Sequence, residues 1–149
     1  MKLISHRGNI NGIIKEKENH PDYILDAIKK GYEVEIDIWF FKNKYFLGHD
    51  KPIYKIKKEF LIKNYKYLWI HCKNIEALNK LHNIPLLNVF FHDKDKYTLT
   101  SKRFIWAYPN EKLTENTICV LPEWNNLNLN GKKILGICSD YIGKYDKKI

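Results

Sequence analysis

Four short groups in the first third of the chain have the chemistry of one phosphate-handling site. In order they are His6-Arg7-Gly8, Glu18-Asn19, Glu35-x-Asp37 and Gly48-His49-Asp50. Cleaving a phosphodiester needs a base for the attacking hydroxyl and an acid for the leaving alkoxide, and imidazoles suit both near neutral pH. It also needs positive charge on the non-bridging oxygens, which a metal together with Arg7 would provide. The Glu35 and Asp37 carboxylates offer hard oxygens, the kind of donor that favours magnesium or calcium over softer ions.

These residues must be held by elements the rest of the sequence builds. Residues 2–5 form a short apolar strand that ends at His6-Arg7-Gly8, and a polar loop follows over Asn9 to Lys17. Pro21 stands where a helix begins, with Asp22 in its first turn and Gly31 at its stop. Tyr32 to Phe41 is rich in β-branched and aromatic residues. As a strand it puts Glu33, Glu35 and Asp37 on one face and Val34, Ile36 and Ile38 on the other. Three carboxylates on one face repel unless a cation or basic side chains lie between them. Asn43 turns the chain, and Tyr45 to Asp50 returns as a second strand. Pro52 opens a loop, and Lys57 to Asn64 reads as a short helix.

Five further strands are expected at Tyr67–Cys72, Leu86–Phe91, Phe104–Ala107, Thr117–Leu121 and Lys133–Cys138, with a helix over Ile75–Leu81. Several end in a polar residue and a turn, as in His92-Asp93, Pro122-Glu123 and Ser139-Asp140. Strands of this kind, separated by helices or loops, suggest parallel βα units whose polar ends gather on one face. A TIM-type barrel usually needs about 250 residues. Eight units in 149 residues leave about 18 each, so several helices must be shortened or missing. The expected fold is a compact TIM-type (β/α) barrel, with an incomplete, open barrel as the alternative. No repeat or linker divides residues 1–149, so one domain is expected.

Composition narrows the function classes. Hydrophobic residues make up 44% of the chain and aromatics 14%, which fits a packed core. No stretch approaches the ~18 consecutive apolar residues of a membrane span. Met1-Lys2-Leu3-Ile4 runs straight into strand and then His6-Arg7, too little for a secretory signal, so the expected location is the cytoplasm. Cys72, Cys119 and Cys138 each lie in or beside an apolar run without CxxC spacing, as small buried hydrophobes do. The formal charge of +9 is nearly all lysine, Arg7 and Arg103 being the only arginines. The lysine pairs at 29–30, 57–58, 132–133 and 147–148 are isolated, unlike the clustered basic and aromatic residues of a nucleic-acid groove. The charge favours an anionic substrate, and no nucleic-acid partner is expected.

The four groups, in this order and spacing and together with Gly31, resemble the glycerophosphodiester phosphodiesterases, relatives of the phosphatidylinositol-specific phospholipases C. The match is dense over residues 4–50. Beyond them Trp69-Ile70-His71-Cys72-Lys73 looks like the family's next inward strand, and Gly136 to Tyr141 resembles its closing strand and the Asp-Tyr that follows. The resemblance implies His6 and His49 as the proton-transfer pair, Glu35 and Asp37 as metal ligands, and Arg7 and Lys73 on phosphate oxygens. It implies a divalent metal, Mg²⁺ or Ca²⁺ first. One departure stands out: two residues before Lys73 the family has a third metal-binding glutamate, and here that residue is His71. If His71 ligates, preference shifts toward Mn²⁺ or Zn²⁺; Glu33 or Glu123 could otherwise complete the set. The implied substrate is a small phosphodiester: a glycerophosphodiester, a lysophospholipid or a glycan bearing glycerol phosphate.

Other readings stay open from sequence. His71 reads equally as a core histidine, and Glu123 as a substrate contact or a turn residue. His92, with Asp93 and Asp95, reads as a loop. Trp39, Trp69, Trp106 and Trp124 read as core or pocket wall. A non-catalytic module keeping only the anion pocket is the competing function.

Overall fold

The computed structural model describes residues 1–146, and the Lys147-Lys148 pair lies outside them. In chain order the elements are β1 (Lys2–His6), α1 (Pro21–Lys29), β2 (Glu33–Phe41), β3 (Lys44–Leu47), β4 (Tyr54–Ile56), α2 (Lys58–Lys63), β5 (Leu68–Cys72) and α3 (Ile75–Leu81). Then come β6 (Asn88–Phe90), β7 (Tyr97–Leu99), β8 (Ile105–Ala107), β9 (Thr117–Val120) and β10 (Gly136–Ser139). Short 3₁₀ turns cover Pro122–Asn125 and Ile142–Tyr145.

The expected TIM-type barrel is corrected by this architecture. The ten strands form one mixed sheet, curled into a half-barrel, and only three short α-helices occur among the described residues. Seven strands run parallel in the order β6-β5-β2-β1-β10-β9-β8. The other three join antiparallel: β3 on β2, β4 on β3 and β7 on β8. The physical reason lies in the connections. All three α-helices precede β6, where the linking segments carry an apolar stripe to bury, such as Ile24 and Ala27 in α1. After β6 the links are a hairpin and loops. Residues 108–116 are mostly polar and contain Pro109, while 121–135 are broken by Pro122, Gly131 and a run of asparagines. Neither can bury a helical face.

Two layers of core follow. Val34, Ile36, Ile38, Ile70 and Val89 point outward from the sheet and pack under the helices with Ile24, Leu61, Ala77 and Leu81. The inside of the curl is filled by Ile4, Trp69, Phe90, Trp106, Ile118, Val120, Leu121 and Cys138. Strands buried on both faces explain the near-continuous apolar runs of the sequence. The three cysteines are buried and unpaired. No helix among the described residues is long and apolar enough to cross a membrane.

The seam that joins the first strand to the last tolerates no side chain at Gly136. A Cβ there would lie 2.7 Å from Lys2 Cβ and 2.8 Å from the Lys2 carbonyl oxygen, and that oxygen belongs to the backbone of the neighbouring strand. Gly136→Ala is therefore expected to destabilise the fold by about 1–3 kcal/mol, read from the denaturant midpoint. A midpoint equal to the wild type would mean that β1 and β10 are not clamped together.

Candidate functional site

Strand alternation sends every second residue of the parallel strands into the curl, and the register sets their heights. His6 pairs in register with Glu35, and Asp37 with His71. Past the apolar floor made by Ile4, Trp69 and Phe90, the inward positions at the strand ends are His6, Glu35, Asp37, His71, His92 and Asp140. They line or lie beneath a cavity of about 460 Å³ that Arg7, His49, Lys73, Tyr108 and Trp124 also border. Glu33, expected on the same face, sits at the opposite end of β2. There it meets Lys2 Nζ at 2.7 Å and Trp69 Nε1 at 2.6 Å, so it takes no part in the site.

His6 is held from behind. Its Nδ1 donates to Asp140 Oδ1 at 2.7 Å, which leaves Nε2 toward the cavity, 3.8 Å from Glu35 Oε2. Burial lowers the pKa of His6, but the Asp140 hydrogen bond and the Glu35 charge outweigh it, so the net direction is upward. Asp140 is in turn fixed by Asn9 Nδ2 at 2.8 Å, and its backbone N–H donates to Glu123 Oε1 at 2.8 Å. Glu123 Oε2 accepts from Ser139 Oγ at 3.0 Å. Both oxygens of Glu123 thus brace β10 and support Asp140. Expected as a possible metal ligand, Glu123 is not among the three groups whose ligand atoms lie close together among the described residues.

The Glu18-Asn19 pair has a clear task. Asn19 clamps Asp37, donating from Nδ2 to Asp37 Oδ2 at 2.8 Å and accepting the Asp37 N–H at 2.9 Å. Glu18 takes Arg7 Nη1 at 3.3 Å and Asn9 Nδ2 at 2.8 Å. Arg7 itself has a left-handed backbone, φ 55°, and its N–H is bonded to the Glu35 carbonyl at 3.0 Å. That turn aims its guanidinium back over the site, with Nε 3.1 Å from Asp37 Oδ2. Lys73 Nζ approaches Asp37 Oδ1 to 3.8 Å.

His71 turns toward the carboxylates. Its Nε2 donates to the His92 carbonyl at 2.9 Å, so Nδ1 faces inward, 3.2 Å from Asp37 Oδ1 and 3.7 Å from Glu35 Oε1. Phe90 stacks flat on the ring at 5.2 Å. Burial disfavours the charged ring, but Asp37 and Glu35 prevail and raise its pKa to about 9. Asp37 moves the other way: burial opposes its charge, yet His71, Arg7 and Lys73 hold the carboxyl well below the usual range.

The same three residues could hold a divalent cation. One ligand atom from each of Glu35, Asp37 and His71 lies within 4.8 Å of the others. Glu35 Oε2 and Asp37 Oδ1 are buried with no aligned hydrogen-bond partner among the described residues, which leaves lone pairs for an ion. Fixing a histidine through its far nitrogen on a carbonyl is also how proteins orient an imidazole ligand. Two carboxylate oxygens with one imidazole nitrogen fit a manganese- or zinc-like ion better than calcium.

Without metal, the two shifts give opposite pH limits. His71, raised from 6.5 to about 9, contributes stability that is fully present below pH 6.5 and lost as pH climbs through 9. Asp37, held below its ordinary 3.8, contributes stability present above that pH and lost as pH falls. In chelator, the denaturant midpoint is expected to decline from neutrality to pH 10, and His71→Gln to flatten that decline. An equally steep decline in the variant would show that His71 is not the titrating group.

His49 comes from the loop after β3. Gly48 before it, φ 145°, admits no side chain because a Cβ would collide with the Lys51 carbonyl. Its Nδ1 meets Asp50 Oδ1 at 2.7 Å, and its ring lines the cavity while remaining partly exposed. Asn9, Asp140 and His92 are among the site residues that sequence reasoning left without a role. Asp140 is 134 positions from His6, and only the closing of β10 on β1 joins them. No protein-family model matches the chain, and no curated protein and no solved structure matches it either.

Proposed function

We propose that the chain is a metal-dependent phosphodiesterase acting on a glycerophosphodiester-type substrate, as its resemblance to that family implies. The observation that carries this reading is one cavity bordered by His6, His49, Arg7 and Lys73 over the buried Glu35, Asp37 and His71 group. His6 Nε2, backed by Asp140, and His49, backed by Asp50, exchange protons with the attacking and leaving oxygens. Arg7 and Lys73 bind the non-bridging oxygens. A divalent ion on Glu35, Asp37 and His71 would add Lewis-acid charge to the same oxygens. Where the alcohol carries a hydroxyl beside the phosphate, that hydroxyl attacks to give a cyclic phosphate; otherwise water attacks directly. Glycerophosphodiesters, lysophospholipids and glycerol-phosphate-bearing glycans all present this linkage. Three free cysteines suit a reducing, cytoplasmic setting for the reaction.

The test is release of alcohol from glycerophosphocholine-type esters. Hydrolysis is expected, lost in EDTA and restored by Mn²⁺. Activity that survives both EDTA and His6→Ala rules the mechanism out.

A second reading rests on His71. A raised pKa beside Asp37 lets its imidazolium stand in for a cation, as a metal-free anion-binding module would require. Divalent ions then leave the melting temperature unchanged, whereas the first reading requires them to raise it.

A further inference from the structure

His92 is the cavity histidine that the chemistry above leaves unused. It follows β6, and its side chain is only 9% exposed. Neither Nδ1 nor Nε2 has a hydrogen-bond partner among the described residues. The nearest carboxylate oxygen, Asp95 Oδ2, stands 3.8 Å from Nδ1, too far for a hydrogen bond. The other three histidines of the cavity are engaged: His6 by Asp140, His49 by Asp50, and His71 by the carbonyl of His92 itself. That last bond also anchors the His92 backbone. Its ring is set between His71, 6.1 Å away, and Tyr108, 5.1 Å away.

A buried imidazole with both nitrogens idle is costly unless a partner arrives. Since no described residue supplies one and the His92 ring lines the cavity, the partner comes from the cavity's contents. A neutral imidazole offers one donor and one acceptor. Phosphate oxygens only accept, and Arg7 and Lys73 already serve them. A hydroxyl both donates and accepts, matching the ring. The cavity lining agrees with this, because Tyr108 beside His92, and Trp106, Pro109, Leu121 and Trp124 elsewhere in the same cavity, suit a carbon skeleton rather than a charged phosphate. We infer that His92 is a specificity-determining residue that reads a free hydroxyl on the alcohol half of the phosphoester in the cavity. The inference rests on the phosphodiesterase reading only for the molecule that carries the hydroxyl.

Calorimetric titration of glycerol 3-phosphate and of propyl phosphate, which lacks both hydroxyls, tests it without requiring turnover. Wild type is expected to bind glycerol 3-phosphate about 10-fold or more tightly than propyl phosphate, a difference of about 1.4 kcal/mol. His92→Phe keeps an aromatic ring beside Tyr108 and is expected to bring the ratio to about one. His92→Asn retains a donor and an acceptor and is expected to keep part of the preference. A wild-type ratio near one, an unchanged ratio in His92→Phe, or no binding of either compound overturns the inference. The wild-type ratio alone decides if a variant fails to fold. Hydrolysis of a glycerol 4-nitrophenyl phosphodiester is followed in parallel. No turnover with the preference intact removes the phosphodiesterase reading and leaves His92 its role; turnover with no preference removes the role of His92 alone.

Discussion

His6→Ala is expected to lower kcat on a phosphodiester by about 10²–10⁴-fold, with little change in the denaturant midpoint. The argument runs through Asp140. With Nδ1 donating to Asp140 Oδ1 at 2.7 Å, His6 is committed to one tautomer and one orientation, and Nε2 is the nitrogen free to move a proton. Alanine removes that nitrogen and leaves Asp140 still bonded to Asn9 and to the brace from Glu123. Asp140→Asn gives a smaller loss with a distinct pH signature. The Asp140 carboxylate helps raise the pKa of His6, so replacing it with an amide lowers that pKa. A base that must be unprotonated then becomes competent at lower pH, and the acid limb of the kcat/KM profile moves toward acid. Steady-state rates from pH 5 to 9 on both variants check this. An acid limb that stays in place in Asp140→Asn would assign it to a group other than His6.

Local signals in the sequence carried far. Pro21 and Gly31 bracket α1, and period-two alternation across Glu33 to Ile38 separates the inward carboxylates from the outward aliphatics. The resemblance grouped His6, Glu35, Asp37, His71 and Lys73, and the register of β1, β2 and β5 brings them to the same end of the sheet. What failed were inferences about connections and distant pairings. Polar residues at successive strand ends imply parallel strands, and seven are parallel, but they do not say that a helix fills every return. β4 and β7 are three-residue strands with no pattern of their own, made by neighbours that fold back on β3 and β8. Glu33 shares a face with Glu35 and Asp37 but lies too low on β2, where Lys2 and Trp69 bind it. The loop reading of His92 held for its backbone and missed its ring, because nothing local shows that both nitrogens lack partners. Glu123 likewise gives no local sign that it braces β10.

The largest loss of stability is expected at Asp37. Its side chain is 0% exposed, and three cationic groups depend on it: Arg7 Nε at 3.1 Å, His71 Nδ1 at 3.2 Å and Lys73 Nζ at 3.8 Å. None of their side chains is more than 18% exposed, so water cannot replace the lost counter-charge. Asp37→Asn keeps the shape and the backbone bond to Asn19 but leaves the mostly buried Lys73 with no ion-pair partner among the described residues, and Arg7 and His71 with only Glu18 and Glu35, a change of about 3–5 kcal/mol. Part of that is recoverable. Adding His71→Gln removes one of the cations that lose counter-charge, so the double variant is expected to be more stable than the sum of the single effects, since the two residues are in contact. Metal gives the second readout. An ion at 100 times its Kd stabilises the folded state by about 2.7 kcal/mol, and Asp37→Asn is expected to forfeit that gain because one of the three candidate ligands exchanges its charged oxygen for a neutral amide oxygen. Thermal melts with and without Mn²⁺ separate the two contributions. A variant that melts with the wild type in EDTA would mean the three cations do not rely on Asp37. One that still gains from Mn²⁺ would move the ion to other ligands, because an amide oxygen without charge cannot balance a dication beside Arg7 and Lys73.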